Sequence, residues 1–598
     1  MLSTPADQSE GVAASLAALG APGKDVRRVA HGTTVVTNLL LERRGARVVL
    51  CATDGASDLL ELRRQERAAL YDLSAQHPLP LVDAERVLAV KERITPTGIA
   101  LPLTASEATR VAEAVAKLEP EIVVVSLLHA YDNDAHEKML AAAIKKRLPN
   151  VEVVQSAAVL PEIREYERTT TAVAEGYARP RVSLYLDHLR KKLAAGGFPA
   201  PDVMTSGGGM RTAAEASSAA ASLALSGPAG GVVGAAAVLR AAGLKHGLTI
   251  DIGGTSADAG LILDGEPLVE PGGSVAGVPI ALPRVLVETV SAGGGSIAWI
   301  DDGGALRVGP RSAGAVPGPV AFARGGTQPT VTDAHIALGR LDAARLSGGV
   351  TLDAPAAKRA IAELAKKLSA SPARTAEAII AIADAAMARA LRRVSVERGI
   401  DPRSCALVAF GGGGPLHACA LAELLGMNTI LVPPHAGVLS ALGLAIAPER
   451  RDAATSIMRT CDTIDQGWLA ARLDTLATRA ANANAQKLAW HARVRYAGQG
   501  HELDVTCKPG DNGAMIAVRF TKLHDARYGF TLDRPVEMVA VRVAATGNAV
   551  KVKFKSESAK VRRVAGPHVE TLADATMVVA PGWKAKSLAI GGWLMERV

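Results

Sequence analysis

The segment Thr249-Ile250-Asp251-Ile252-Gly253-Gly254-Thr255-Ser256-Ala257-Asp258 runs straight into a second apolar stretch at 259–263. An apolar run that ends in Asp, then Gly-Gly-Thr, then another apolar run predicts a β-hairpin with a polar tip. Glycines at the tip permit close approach of a ligand and positive φ, and they leave backbone N–H groups free to meet a phosphate. Thr255 and Ser256 add hydroxyl donors. Asp251 and Asp258 are placed to orient Mg²⁺, directly or through water, as a nucleotide would bring it. The plain alternative is a tight turn, but a carboxylate on each side of Gly-Gly-Thr is more than a turn requires.

Working outward, three further glycine clusters stand at 226–231 (SGPAGG), 291–296 (SAGGGS) and 410–415 (FGGGGP). The last comes after an apolar run at 406–410 and precedes a helical pattern at 416–425. It therefore opens a helix N-terminus, where anions bind well. Gly411, Gly412, Gly413 and Gly414, with Gly293, Gly294 and Gly295, join Gly253 and Gly254 as candidate nucleotide contacts. The pattern is neither GxxxxGK[ST] nor a dinucleotide fingerprint. His31-Gly32-Thr33-Thr34 lies at a strand-to-helix junction. There His31, Thr33 and Thr34 either contact substrate or phosphate, or simply cap a helix beside a packed histidine. Asp333, in Thr332-Asp333-Ala334, is either an N-terminal helix cap or a metal or base carboxylate. His417 carries the same ambiguity.

Composition sets the frame. The 598 residues are 48% hydrophobic and 21% charged, the balance of a globular chain of several domains. Aromatics are only 3%, so the net charge of +8 has little beside it on which bases could stack, and nucleic acid is not expected as a partner. No uninterrupted apolar run reaches membrane-spanning length and the opening residues lack a signal-peptide pattern, so a cytoplasmic protein with no membrane partner is expected. Five scattered cysteines without CxxC spacing support neither a disulfide framework nor a zinc site.

Apolar runs alternate with helical periodicity through the first third, which is α/β material. Helices are expected near 35–44 (with Gly45 as its C-terminal stop), 106–118, 136–148, 161–185, 375–398 and 466–488, and strands near 46–52, 121–128, 151–155, 249–252, 260–263 and 407–410. A β-rich tail comes last, in which 494–496 and 503–505 flank a glycine turn. The domains expected are 1–185, 186–465 and 466–598, and the tail is expected to be structural or partner-facing.

Taken in order, the motifs resemble the hydantoinase A/5-oxoprolinase family. The residues that carry the likeness are 31–38 (HGTTVVTN), 160–169 (LPEIREYERT), 225–231 (LSGPAGG), the Asp251 hairpin, 292–298 (AGGGSIA), 330–334 (TVTDA), 409–418 (AFGGGGPLHA), 438–443 (VLSALG) and 527–530 (RYGF). The resemblance implies an actin/Hsp70/sugar-kinase-like fold of duplicated RNase-H-like domains plus a β-rich C-terminal domain. It implies an ATP-dependent hydrolase of a cyclic amide (hydantoin, 5-oxoproline or a related lactam) in which ATP phosphorylates the amide oxygen with Mg²⁺ present. Asp251 and Asp333 would then be the catalytic carboxylates, and a B-type subunit in a common oligomer would complete hydrolysis. Two other readings are an A-type subunit of an acetone-type ketone carboxylase and a non-catalytic assembly partner. Relatives open with a first Asp-Val-Gly-Gly-Thr hairpin, whereas residues 2–7 here resemble the segment just after that hairpin. The expectation is that a chain starting at Met1 binds ATP poorly and that upstream residues restore binding.

Overall fold

In the computed structural model, which describes residues 8–18, 20, 25–341, 352–481, 487–555 and 561–598, the chain divides into two compact units. The first comprises Met1–Gly227, Glu270–Arg284 and Ala447–Ala549; the second comprises Pro228–Val269, Val285–Ile446 and Val550–Val598. The divisions expected after 185 and 465 therefore do not coincide with the divisions between units. The reason is long-range pairing. The strand Trp593–Arg597 adds to Thr429–Val432 in the second unit, with Thr429 opposite Glu596, while residues 447–549 belong to the first. Residues 2–7, 482–486 and the other gaps fall outside the described residues.

In the first unit, parallel strands Val87–Val90, Val48–Thr53, Ile122–Ser126 and Glu152–Gln155 form one sheet in that order. Val48–Thr53 and Ile122–Ser126 are buried at every position, which is why they read as continuous apolar runs rather than alternating ones. The flanking helices Ala105–Lys117, capped by the Thr104 hydroxyl, and Ala135–Arg147 match the expected periodicity closely. A single helix, Glu165–Ala195, replaces the shorter one expected at 161–185 and continues through Pro180. The helix Val35–Glu42 ends on Arg43, itself at φ 55°, rather than on Gly45. Gly45 instead lies under the Tyr177 ring, where any Cβ would overlap it.

The C-terminal part of this unit is an antiparallel sheet ordered Arg450–Thr460, Val536–Thr546, Lys487–Tyr496, Leu503–Cys507, with Val494 opposite Leu503 across the expected glycine turn. Lys487–Tyr496 and Leu503–Cys507 alternate buried and more open positions because one face packs on Leu469, Leu473, Leu476, Ile516 and Phe520. The helix Gln466–Ala480 stops short of 488, and Gly513–Tyr528 is a further helix within what was expected to be a β tail.

The second unit is built on a mixed sheet in which Ala257–Leu263, Gly247–Ile252, Ala406–Phe410 and Thr429–Val432 are neighbours in that order. The last three run parallel, and Ala257–Leu263 returns antiparallel to Gly247–Ile252. Helices Pro372–Val394 and Gly414–Leu425 bury Ile379, Ala383, Met387, Leu391 and Leu421 against it.

Candidate functional site

Asp251 and Asp258 face each other as cross-strand partners at the end of the hairpin, and residues 253–256 form its tip. Gly253, Gly254 and Thr255 are exposed, and the amides of Gly254 and Thr255 meet no acceptor among the described residues. The Ser440 hydroxyl donates to Asp251 Oδ2 at 3.0 Å, and the Thr289 hydroxyl donates to Asp258 Oδ1 at 2.5 Å. Among the described residues, no Lys or Arg contributes to the environment of either carboxylate. Burial raises the Asp251 carboxyl above its usual range. Burial, with a smaller push from Asp251, takes Asp258 up to about 6. Two like-charged groups held this way call for a cation.

The loop 411–414 closes one side of the hairpin. Asp251 lies in parallel register with Phe410, and the chain then turns at Gly411, φ +77°, whose amide donates to Ala436 O at 2.8 Å. A Cβ on Gly411 would overlap Asp251 Oδ1, so this position combines positive φ with a close approach. Gly413 N donates to Ile252 O at 3.0 Å. Gly412, between them, is exposed and has nothing within 4 Å of where a Cβ would lie. Gly254 is equally open. These two positions leave room at the mouth of the site, and the first turn of the helix Gly414–Leu425 opens beside them.

Gly293, Gly294 and Gly295 back the tip from the other side. Gly294 N donates to Gly253 O at 3.0 Å and Gly295 N to Gly254 O at 2.6 Å. A Cβ at Gly293 would lie 2.8 Å from Gly253 O, so backbone meets backbone here only because side chains are absent. Their geometry supports the tip, a different part from the direct nucleotide contact expected of them. Thr332 then ties this strap down, with both its amide and its hydroxyl donating to Gly294 O at 2.8 Å.

Asp333 requires a correction. It is 0% exposed, and its carboxylate accepts from Val320 N, Ala321 N, Thr330 N and the Thr330 hydroxyl at 2.8–3.2 Å. With Thr330 it forms a capping box on the helix Val331–Ala337. Both oxygens are committed to holding the loop before that helix, so the structural alternative describes Asp333 and the catalytic one does not.

His31, Thr33 and Thr34 belong to the first unit. The strand Val29–His31 runs parallel to Pro201–Met204, with His31 opposite Val203. His31 Nε2 shares a 2.8 Å hydrogen bond with the Tyr185 hydroxyl, and burial pushes its pKa down to about 4. Thr33 is buried, with its carbonyl accepting from the Ser226 hydroxyl, while Thr34 precedes the helix Val35–Glu42 without a side-chain cap and is exposed. At the same end of the neighbouring strand, Thr205-Ser206-Gly207-Gly208-Gly209 makes a tight loop closed by Thr205 N to Gly209 O at 2.8 Å. Sequence reasoning passed over this loop, although a glycine run after an apolar strand was the signal used elsewhere. Ser440 and Thr332 lie inside motifs quoted above, but no role was read for either, and Thr289 lies outside every motif.

Among the described residues, no group of three or more His, Cys, Asp or Glu side chains could hold a metal alone, and no helix is long and apolar enough to cross a membrane. A Mg²⁺ held by Asp251 and Asp258 would therefore complete its shell with water and ligand oxygens, as that ion commonly does. All five cysteines are free, buried thiols.

Against known proteins, the description Hydantoinase/oxoprolinase matches residues 168–453, and Hydantoinase/oxoprolinase N-terminal region matches residues 1–148. The chain is 34% identical over 531 residues to caprolactamase subunit alpha of Pseudomonas jessenii, covering 85% of this chain and 76% of that one. It is 30% identical to 5-oxoprolinase 1 of Arabidopsis thaliana over 95% of its own length, but spans 48% of that longer protein. The crystal structure of ATP-dependent caprolactamase from Pseudomonas jessenii superposes with a TM-score of 0.87 at 29% identity, over 100% of this chain and 96% of that one. A nucleotide-free acetone carboxylase structure gives a TM-score of 0.76 at 24% identity, again over 100% and 96%, which speaks for the fold alone. These likenesses bear out the expected sugar-kinase/actin-like α/β fold with a β-rich C-terminal region. With the two profile matches and the caprolactamase relative in agreement, the chain belongs to the hydantoinase/oxoprolinase family.

Proposed function

We propose that this chain is the ATP-handling A-type subunit of an enzyme that opens a cyclic amide. The observation that carries the reading is the opposed Asp251–Asp258 pair, without a basic partner among the described residues, beneath a glycine tip with open amides. Asp251 and Asp258 would hold Mg²⁺, directly or through water, and the ion would supply charge neutralisation for phosphate oxygens. The amides of Gly254, Thr255 and Gly412 and the hydroxyls of Thr255 and Ser256 would bind those oxygens. His31, Thr33 and Thr34, with the loop 205–209, are proposed as contacts to substrate or phosphate.

Activation of the amide explains the use of ATP. Resonance makes an unstrained amide a poor electrophile. Transfer of the γ-phosphoryl group to the amide oxygen, with ADP leaving, ends that resonance. Water then adds to the carbon, the C–N bond opens and phosphate departs. The relative named caprolactamase subunit alpha supports a partner subunit, which we assign to the B type and to the hydrolytic half-reaction, in a cytoplasmic hetero-oligomer. A lactam is preferred to a ketone because the caprolactamase subunit matches over 85% of this chain and 76% of its own, and the caprolactamase structure superposes at a TM-score of 0.87.

The test is ADP release by the chain with its partner, offered 5-oxoproline, hydantoin, caprolactam, or acetone with bicarbonate. ADP release that depends on a lactam and disappears in Asp251→Ala supports the proposal. Release only with acetone and bicarbonate would favour the carboxylase reading. Turnover unchanged in Asp251→Ala would remove the hairpin from the site.

A further inference from the structure

Behind the candidate site, three buried side chains form a chain of their own: Asp384, 4% exposed, His417, 2%, and His335, 1%. They come from three helices, Pro372–Val394, Gly414–Leu425 and Val331–Ala337. His417 Nδ1 lies 2.6 Å from Asp384 Oδ1, and His417 Nε2 lies 3.2 Å from His335 Nε2, with the two rings edge to face at 90°. His417 Nδ1–H donates to the Asp384 carboxylate, and one of the two facing Nε2 atoms donates to the other. His335 Nδ1 is buried with no hydrogen-bond partner. Burial holds His335 well below its usual pKa, with further pushes from His417 and Arg340, so it stays neutral.

The two histidines sit on the two helices that grip the hairpin. One turn before His335, Thr332 holds Gly294 O, and Gly294 N holds Gly253 O at the tip. Just before the helix of His417, Gly413 N holds Ile252 O. The path Ile252, Gly413, His417, His335, Thr332, Gly294, Gly253 is therefore a closed circuit around the phosphate-facing end of the hairpin. Every link but one is made by backbone, by Thr332 or by helix continuity. The exception is the His335–His417 hydrogen bond.

We infer that Asp384, His417 and His335 are positioning residues that clamp the glycine loop 411–414 and the strap 293–295 around the Asp251 hairpin, with the His335–His417 bond as the closing link. The inference rests on the nucleotide reading only for its consequence; the clamp itself belongs to the ligand-free protein. An apolar side chain at 335 fills the space but cannot close the circuit. A Gln can, because its side-chain amide reaches the position of His335 Nε2 and can donate or accept there, and it leaves no buried ring nitrogen bare.

The experiment compares wild type, His335→Leu and His335→Gln in two measurements. In nucleotide-free protein, amide hydrogen exchange over 253–256, 293–296 and 411–414 should speed up by about tenfold in His335→Leu, the loss of roughly one buried hydrogen bond. It should return towards wild type in His335→Gln, with distant segments unchanged in all three. With Mg²⁺ and ATP, His335→Leu should weaken nucleotide affinity by a similar factor and His335→Gln should restore it. Exchange that stays at the wild-type rate in His335→Leu, or that rises across the whole unit in both variants alike, overturns the clamp. If exchange changes as described while ATP binds none of the three proteins, the clamp stands and the nucleotide reading falls.

Discussion

Gly411 and Asp251 stand so close that no side chain fits between them, whereas Gly412, one residue on, faces open space. Neighbouring glycines of one loop therefore do different work, and they should fail differently. Gly411→Ala must adopt φ +77° and overlap the carboxylate, so it should lower stability by about 1–3 kcal/mol and shift the thermal midpoint. Gly412→Val should leave that midpoint nearly unchanged while raising the KM for ATP. Calorimetry and ATP kinetics on both variants check the pair; matched effects would mean that the loop is a packing device throughout.

Asp251→Asn should remove ATP turnover while leaving the fold intact, because Ser440 can still bond the side-chain oxygen. Circular dichroism and ADP release measure the two halves. A variant that still turns over at the wild-type rate would show that the carboxylate charge is not used.

His31 gives a pH dependence of stability. Its folded pKa, about 4, lies below the unfolded value of about 6.5, so folding favours the neutral ring. That contribution is complete above pH 6.5 and is lost as pH falls from there towards 4, by roughly 2–3 kcal/mol. His31→Gln keeps a polar partner for Tyr185 but does not titrate. Urea midpoints measured from neutral pH down to about pH 4.5 should fall less steeply in His31→Gln than in wild type. Parallel curves would contradict the assignment.

Trp583 is 1% exposed, and its indole N–H donates to Glu423 Oε1 at 2.8 Å, so the last strands are part of the second unit's core. Trp583→Ala should cost about 3–5 kcal/mol. Removing residues 583–598 should also bare the edge of Thr429–Val432 and produce insoluble protein. A soluble, cooperatively folding truncation would show that this pairing is dispensable.

The contrast between hairpin and tail says what was legible. The Asp251 hairpin is local: two apolar runs, a glycine tip and two carboxylates all lie within residues 249–263. The helices at 105–117 and 135–147 were equally plain from their periodicity. The union of 593–597 with 429–432 was not, because nothing local to either run names its partner. Asp333 read as an N-terminal cap or a catalytic base, and only the positions of Val320 N and Ala321 N decide between them. His417 looked like a residue of the glycine loop, yet its partners are Asp384 and His335, on helices distant in sequence.

If the phosphates of ATP lie at the Asp251 hairpin, saturating Mg²⁺ and ATP must change its hydrogen exchange. Exchange over 253–256 and 411–414 should slow, and Asp251→Asn should abolish that protection. Exchange at both segments that ignores saturating nucleotide, with protection elsewhere in the chain, would contradict that placement.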